Sequence, residues 1–482
     1  MHKTLTKAAA KTLMLLALCF LVSAGIAGGQ GKPEQKTDTA DPQYLVFQFF
    51  TDSGGGRAGF SRSKLNDQVT EVIDALESLR GDGKTRQLGF GVGPLSLNLT
   101  DDELREVIRE SFKLAEEKNI AVLIHIDDSM FWARRSDLWK DPRNVEWTDW
   151  QGTVHPRRYV DWTLSAKLAP QMCYNSPTLR KEISRIAREV IGREISQGVD
   201  SLKAKNKRHL FAGVIAGWET HLWDYSGSMP QEMTDLMDRD GSPRVRIGYN
   251  ALTNLGYSAQ NPPKDFDQEL DKVVQDWAAF WAKELNETGI PRERIYTHFA
   301  GPTWEAFNPY SRPGFSIYTS SQFDGVYPEL ENQGNPRWAC AEGTNLDGQA
   351  MGYPWEAYLG RMFNHGASLA AIFAWHEKDR TQYGRATTSQ EAIAAYRKFL
   401  QGGTLSEKLP GMTSFQKKFR RIQLAMVEQG LESRHVSASG QKITNPKQFF
   451  SLVQQMQRYV HEQKMEEAEK MADKILELIN SQ

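Results

Sequence analysis

An α/β chain folded as a (β/α)₈ barrel is what this sequence predicts, and three observations predict it. Short apolar runs alternate with amphipathic stretches of helical period about eight times between residues 44 and 402. The 482 residues are enough for one barrel-sized domain and an appendage. No phosphate-binding glycine loop opens a strand-to-helix turn, which disfavours a doubly wound sheet. The run Gly54-Gly55-Gly56 lacks the spacing of such loops and reads as a loop.

The elements follow in order. Residues 44–50 are the first strand, and 65–80 a helix with Leu65, Val69, Val72, Ile73, Leu76 and Leu79 on one face. A second strand falls at 87–91. Residues 102–118 form a helix with Thr100 and Asp101 as caps and acidic residues in its first turn. The run 121–126 is apolar on both faces, as a parallel strand covered by helices must be. A long aromatic insertion, 128–172, precedes a helix over 177–195 that extends to about 205. The fourth strand is 211–217, followed by a loop over 220–262 and a helix over 265–287. Strands five to eight are expected at 294–299, 324–327, 337–341 and 368–375. Helices cover 354–364 and 389–400. Strand patterns then stop, and 449–460 and 465–479 read as helices of a C-terminal extension. The domain plan is residues 1–27, 28–41, a barrel over 42–405, and the extension over 406–482.

The first 27 residues read as a secretory signal. Lys3, Lys7 and Lys11 supply charge, 13–26 are largely apolar, and Ser23, Ala24, Gly25 and Ala27 supply a small-residue exit. The run is short for a span, which needs ~20 apolar residues. Leu16-Ala17-Leu18-Cys19 hints at a lipoprotein site, but Leu18 is too large beside the cysteine. Residues 28–41 form a polar linker. The expected location is therefore exported: periplasmic, at the cell surface, or secreted.

A net charge of -1, with 25% of residues charged, gives no electrostatic reason to expect nucleic acid or an acidic membrane as partner. After signal removal only Cys173 and Cys340 remain. They form one disulfide or two buried thiols, not a disulfide scaffold. Neither a GxSxG elbow nor an HExxH pair occurs, so serine hydrolases and zinc proteases lack their signals.

In a barrel, chemistry gathers at the C-terminal ends of the strands. Strand four ends Gly217-Trp218-Glu219-Thr220 and strand seven ends Cys340-Ala341-Glu342-Gly343. A carboxylate directly after an apolar strand carries a desolvation cost, so it needs a reason; a rim ion pair is the bland one. Paired carboxyl groups across a sugar ring, one proton donor and one nucleophile or base, supply another. Strand three ends His125-Ile126-Asp127-Asp128 with Phe131-Trp132 beyond. Asp127 or Asp128 would hold sugar hydroxyls and Trp132 would stack on a ring. His125 with the aspartates lacks a third ligand for a metal, so none is expected. His298 and Glu305 lie near strand five, Tyr327 follows strand six, and Trp223, Trp304, Trp338 and Trp355 are further subsite candidates. Glu377 rivals Glu342 as the second carboxylate.

Glu219 on strand four, Glu342 on strand seven and Trp375 near the end of strand eight resemble the large clan of retaining glycosidases built on (β/α)₈ barrels. The resemblance is a pattern over residues 44–402, not continuous identity. It implies Glu219 as general acid/base, Glu342 as nucleophile and Trp375 as a platform under the sugar. It also implies an aromatic hydroxyl near the nucleophile, for which Tyr327 is the candidate. The chain departs from the clan at Trp218, where an Asn usually binds the sugar 2-hydroxyl; Trp218 thus becomes a substrate-contact candidate. No cofactor is implied. The expected partner is an oligo- or polysaccharide, β-linked. Two other classes fit the same features: a non-catalytic carbohydrate-binding protein on this barrel, and a scaffold contacting partners through the C-terminal helices.

Overall fold

The computed structural model describes residues 41–50, 60–154, 158–159, 167–222, 246–301, 303–345, 353–373, 375, 387–409, 411, 413–428, 446–462 and 464–480. The signal, most of the linker, the 54–56 glycine run, Trp223 and Glu377 lie outside them. Eight parallel strands follow one another round a cylinder in chain order: β1 (Gln43–Phe50), β2 (Arg86–Leu95), β3 (Ala121–Ile126), β4 (Phe211–Ala216), β5 (Ile295–Thr297), β6 (Gly314–Ile317), β7 (Trp338–Gly343) and β8 (Ala367–Phe373). β8 pairs with β1. The ring closes between β5 and β6 through parallel bridges Tyr296↔Arg312 and Phe299↔Phe315. There Thr297 N donates to Arg312 O at 3.1 Å and Ser316 N to Phe299 O at 2.8 Å. This is the (β/α)₈ barrel that the alternation predicts.

The surrounding helices are α1 (Arg62–Ala75), α2 (Asp101–Lys118), α3 (Pro177–Arg185), α4 (Arg193–Ala204), α5 (Phe266–Asn286), α6 (Ser320–Asn332), α7 (Trp355–Phe363) and α8 (Gln390–Leu400). α3 runs into α4 through a π-helical stretch, Ile186–Gly192, so the two make one interrupted rod. β5 is followed only by a 3₁₀ turn, Trp304–Ala306. α2 starts where Thr100 and Glu103 cap each other's backbone N–H. α5 buries Leu270, Val273, Val274, Trp277, Ala278, Trp281 and Leu285 along one stripe. Each large apolar side chain so placed contributes ~1.5–3 kcal/mol.

Inside the barrel the period of two sets the layers. Tyr44 and Val46 of β1 and Ala121 and Leu123 of β3 pack with Ala339 and Ala341 of β7 and Leu369 and Ala371 of β8. One step further, the inward positions on β1 and β3 are Gln48 and His125. The apolar interior therefore ends in a polar layer under the C-terminal mouth.

The sixth strand differs from expectation. Residues 324–327 lie on helix α6, whose capping box pairs Thr319 with Gln322, and the strand is Gly314–Ile317. The β-branched and aromatic pair Val326-Tyr327 inside the helix imitates a strand, while Pro313 and Gly314 disguise the real one. Tyr327 is therefore corrected: it sits on an outer helix, stacked 5.5 Å from Phe323 and edge-on 4.8 Å from His365. The other strands and helices fall where the periodicity places them, with ends moved by a few residues.

The C-terminal helices α9 (Ser414–Glu428), α10 (Pro446–His461) and α11 (Met465–Asn480) share an apolar cluster of their own, including Phe415, Ile422, Phe449, Met456 and Ile475. Arg420 of α9 ties it to the barrel through Asp324 of α6 at 3.2 Å. Cys173 and Cys340 are both free and buried.

The β3–α3 insertion is pinned by a ladder in which Glu146 N donates to Gln171 O at 2.8 Å. The Glu146 side chain is 0% exposed, accepts from Ala251 N at 3.4 Å, and burial pushes its carboxyl up to about 8. In the unfolded chain it ionises near ~4.3. Between those values the folded form holds the extra proton, so this group's stabilisation is full below the lower pKa and is lost as pH rises to about 8. Glu146→Gln is expected to gain stability relative to wild type as pH rises from 5 to 8. Denaturant midpoints of both proteins at the two pH values check this; a constant difference contradicts it.

Candidate active site

Glu219 stands on a turn that the sequence makes costly. Gly217 has φ +116°, and a Cβ there would lie 2.7 Å from Thr220 Oγ1. Glu219 itself has φ +49°, in the left-handed region that non-glycine residues avoid. Such a backbone costs ~1–3 kcal/mol and persists only where its surroundings hold it. Asp128 does so. Its Oδ1 accepts from Trp218 N at 3.3 Å, and its Oδ2 from Thr220 Oγ1 at 2.8 Å and Trp277 Nε1 at 2.9 Å. Thr220 N also donates to His298 O at 3.3 Å. One buried carboxylate from the end of β3 thus grips both neighbours of Glu219.

Glu342 is aimed by a change of register. On one side Phe315 pairs with Cys340 but Ser316 pairs with Glu342; on the other Ala370 pairs with Cys340 but Ile372 with Gly343. The irregularity lets Ala341 fill the barrel interior while Glu342, the next residue, also turns to the mouth.

The two glutamates share partners. Tyr318, the residue after β6, stands beside both carboxyl groups and acts on the protonation of each. Trp218 Nε1 donates to Glu342 Oε2 at 3.1 Å. Ser316 Oγ lies 2.9 Å from Glu219 Oε1, and His298 Nε2 lies 3.8 Å from Glu342 Oε2. Burial, and then the charge of Glu342, raise the Glu219 carboxyl well above the usual carboxylate range. Burial raises Glu342 too, against the hydrogen bonds from Tyr318 and Trp218. Burial and the two carboxylates push the Tyr318 phenol up as well. Ionising both acids in this dry site is costly, so the pair holds one proton beyond the ordinary carboxylate range. An acid and a carboxylate facing one mouth are equipped to give a proton to one atom while offering an anion to another.

The remaining candidates from the sequence serve the scaffold. Asp127 accepts from the backbone N–H groups of Ser129, Met130 and Phe131 at 2.7–3.1 Å. It shapes the loop, Asp128 is filled by its own donors, and both are 1% exposed, so neither is open to sugar hydroxyls. Trp132 is 0% exposed and donates to Pro170 O at 3.0 Å. Trp375 is 2% exposed and packs edge-on to Phe47 at 4.8 Å. Both rings lack the open face that a sugar platform needs, because apolar burial claims them. His125 and His298 are buried beneath the pair. Of the expected substrate contacts, Trp218 hydrogen-bonds to Glu342 and His298 lies 3.8 Å from it. Trp338 and Trp355 are core residues, Glu305 is buried, and Trp304 is exposed. Among the described residues no three His, Cys, Asp or Glu side chains are grouped to hold a metal ion.

Sequence reasoning missed Tyr318 and Ser316, which follow from the true sixth strand; the run Gly314-Phe315-Ser316-Ile317-Tyr318 after Pro313 carried the signal. It also missed Gln48 and the Asp128–Thr220–Trp277 clamp, which no local pattern announces.

No family model and no curated protein matches the chain. Among solved structures, a β-galactosidase from the psychrophilic Marinomonas ef1 aligns with 74% of this chain at 11% identity and a TM-score of 0.45. This chain spans 59% of that protein's length. The catalytic domain of a β-amylase from Paenibacillus polymyxa aligns with 76% of this chain and 100% of its own, at 8% identity and a TM-score of 0.43. The catalytic domain of an endo-β-1,4-mannanase from Bacillus sp. JAMB-750 aligns with 76% and 87%, at 11% identity and a TM-score of 0.36.

The clamp makes a testable demand. Asp128→Asn turns one acceptor into a donor facing donors and is expected to cost ~2–3 kcal/mol of unfolding free energy. Thr220→Val removes one hydroxyl donor and should cost nearer ~1 kcal/mol. Denaturant unfolding of the two variants checks the order; equal small losses would show that the clamp is idle.

Proposed function

We propose that this protein is a glycoside hydrolase acting by a retaining mechanism, with Glu219 as acid/base and Glu342 as nucleophile. One observation supports it above the rest: a buried Glu342 at the end of β7 and a half-buried Glu219 after β4 face one mouth closely enough for the charge of one to raise the proton affinity of the other. The donors distinguish their roles. Glu342 accepts from Trp218 Nε1, and both Trp218 and Tyr318 favour its anion. Glu219 meets two hydroxyl groups, Ser316 and Tyr318, which accept a proton's hydrogen bond as readily as they give one. Glu219 is therefore the better holder of the proton.

In this mechanism Glu219 protonates the leaving glycosidic oxygen while Glu342 attacks the anomeric carbon. The covalent ester removes the charge of Glu342, which lowers the cost of ionised Glu219. Glu219 then takes a proton from the water that releases the sugar. The Trp218 N–H is engaged by Glu342, so the 2-hydroxyl contact must come from another group. The substrate class is a β-linked oligo- or polysaccharide. Export is proposed with it, on the charged and apolar pattern of residues 1–27. Among the described residues no helix is long and apolar enough to cross a membrane.

Hydrolysis of a panel of aryl β- and α-glycosides by wild type, Glu219→Gln and Glu342→Gln tests the proposal. Turnover of a β-glycoside, cut at least ~10²-fold in each variant, is expected. The raised carboxyls add a pH signature. The alkaline limb reports loss of the proton from the pair and should lie well above the ordinary carboxylate range. Near-normal turnover in either variant would remove that residue from the mechanism.

A further inference from the structure

The barrel interior ends in polar groups at its lower end too, and there the charges do not balance. Tyr296 of β5 pairs with Arg312, and Gly314 of β6 pairs with Ala339 of β7. Tyr296 and Ala339 face the interior. The period of two along a strand therefore gives Arg312 and Arg337 interior positions side by side, just before β6 and β7. Arg294, the last residue of the 3₁₀ turn before β5, joins them. Its Nη1 donates to Ala212 O at 3.2 Å, and its guanidinium lies 4.8 Å over the ring of Tyr44, both interior residues. Neighbouring strands are ~4.8 Å apart, so three guanidinium groups are rooted together on the barrel floor. Arg294 is 3% exposed, Arg312 is 9% exposed and Arg337 is half-buried.

Among the described residues one acid meets this group, Asp41, which precedes β1. Arg294 Nη2 lies 2.7 Å from Asp41 Oδ1, an ion pair in which the buried Nη2 makes no hydrogen bond. Arg337 Nη2 donates to the backbone oxygen of Asp41 at 3.2 Å. The Arg312 backbone is taken up by the β5–β6 seam, with its N–H on Ile295 O and its oxygen accepting from Thr297 N. Its side chain makes no hydrogen bond or ion pair among the described residues. Burial pushes the Tyr44 phenol up to about 12, so it adds no negative charge. Three cations and one carboxylate leave two positive charges in excess. Burial, and then the charge of Arg312, act against the Arg337 cation. A buried lysine would answer by losing its proton, but arginine keeps its own throughout the ordinary pH range. Relief must come from an anion. The planar N–H forks of arginine match the oxygens of phosphate and sulphate.

We propose that Arg294, Arg312 and Arg337 form an oxyanion site on the barrel floor that takes one inorganic phosphate or sulphate ion. The ion joins residues at the N-terminal ends of β5, β6 and β7, and so ties together the seam at which the ring closes between β5 and β6. Asp41 competes with it for Arg294. The site lies at the opposite end of the strands from Glu219 and Glu342, so it is independent of the hydrolase reading.

Calorimetric titration of the full chain with inorganic phosphate tests the site, in a buffer free of other oxyanions and with ionic strength held constant by chloride. One saturable site per chain is expected, and sulphate should compete for it. Arg312→Gln and Arg337→Gln should each weaken binding at least ~10-fold. Arg208→Gln removes an exposed charge outside the group and should leave the affinity unchanged. Asp41→Asn frees Arg294 and should tighten binding. Methyl phosphate, with one fewer free oxygen, should bind more weakly than phosphate. Phosphate should also raise the melting temperature of wild type and not that of Arg312→Gln. Heat without saturation would overturn the site. So would an affinity unchanged in a folded Arg312→Gln or Arg337→Gln protein, or one lowered by Asp41→Asn. Tighter binding of methyl phosphate than of phosphate would overturn the assignment to a free ion and give the site to a phosphate group carried on a larger molecule.

Discussion

Asp128 holds the turn on which Glu219 stands, and the geometry of the mouth depends on that grip. The carboxylate comes from the end of β3, binds the residues on either side of Glu219 on β4, and reaches Trp277 on α5. It fixes a left-handed backbone that would otherwise relax. The same turn carries Trp218, whose indole then reaches Glu342 across the mouth. One buried acid without a role of its own in proton transfer therefore sets the relation between the two glutamates. The proposed chemistry inherits its geometry from a structural contact.

The barrel interior shows why polar residues occur where they do. Lower layers are filled by Val46, Ala121, Leu123, Ala339, Ala341 and Leu369. The layer beneath the mouth exchanges apolar atoms for Gln48, His125, His298 and Ser316, each with hydrogen-bond partners. A buried polar layer is tolerable only when its donors and acceptors match along its length.

Much of the fold was legible in the sequence because parallel strands under helices are continuous apolar runs. The segments 121–126 and 211–216 stand out for that reason. Strand six was hidden since only four residues, Gly314–Ile317, form it and the next helix carries the strand-like pair Val326-Tyr327. That slip carried Tyr318 out of view and put Tyr327 in its place. Glu219 and Glu342 were visible because each ends an apolar run. The aromatic platforms were not: Trp132 and Trp375 look alike in sequence whether they face a sugar or the core, and here packing takes both. The roles of Asp128 and Gln48 depend on partners 77–293 residues away, which no local pattern contains.

The central claim is that Glu342 forms a covalent bond with the sugar while Glu219 delivers the proton. Incubation with a 2-deoxy-2-fluoro glycoside bearing a good leaving group, followed by peptide mass spectrometry, tests it directly. The fluorine slows release of the ester, so the account predicts a stable adduct on the peptide containing Glu342 and none in Glu342→Gln. An adduct on Glu219, or turnover with inverted anomeric configuration and no adduct, would contradict it.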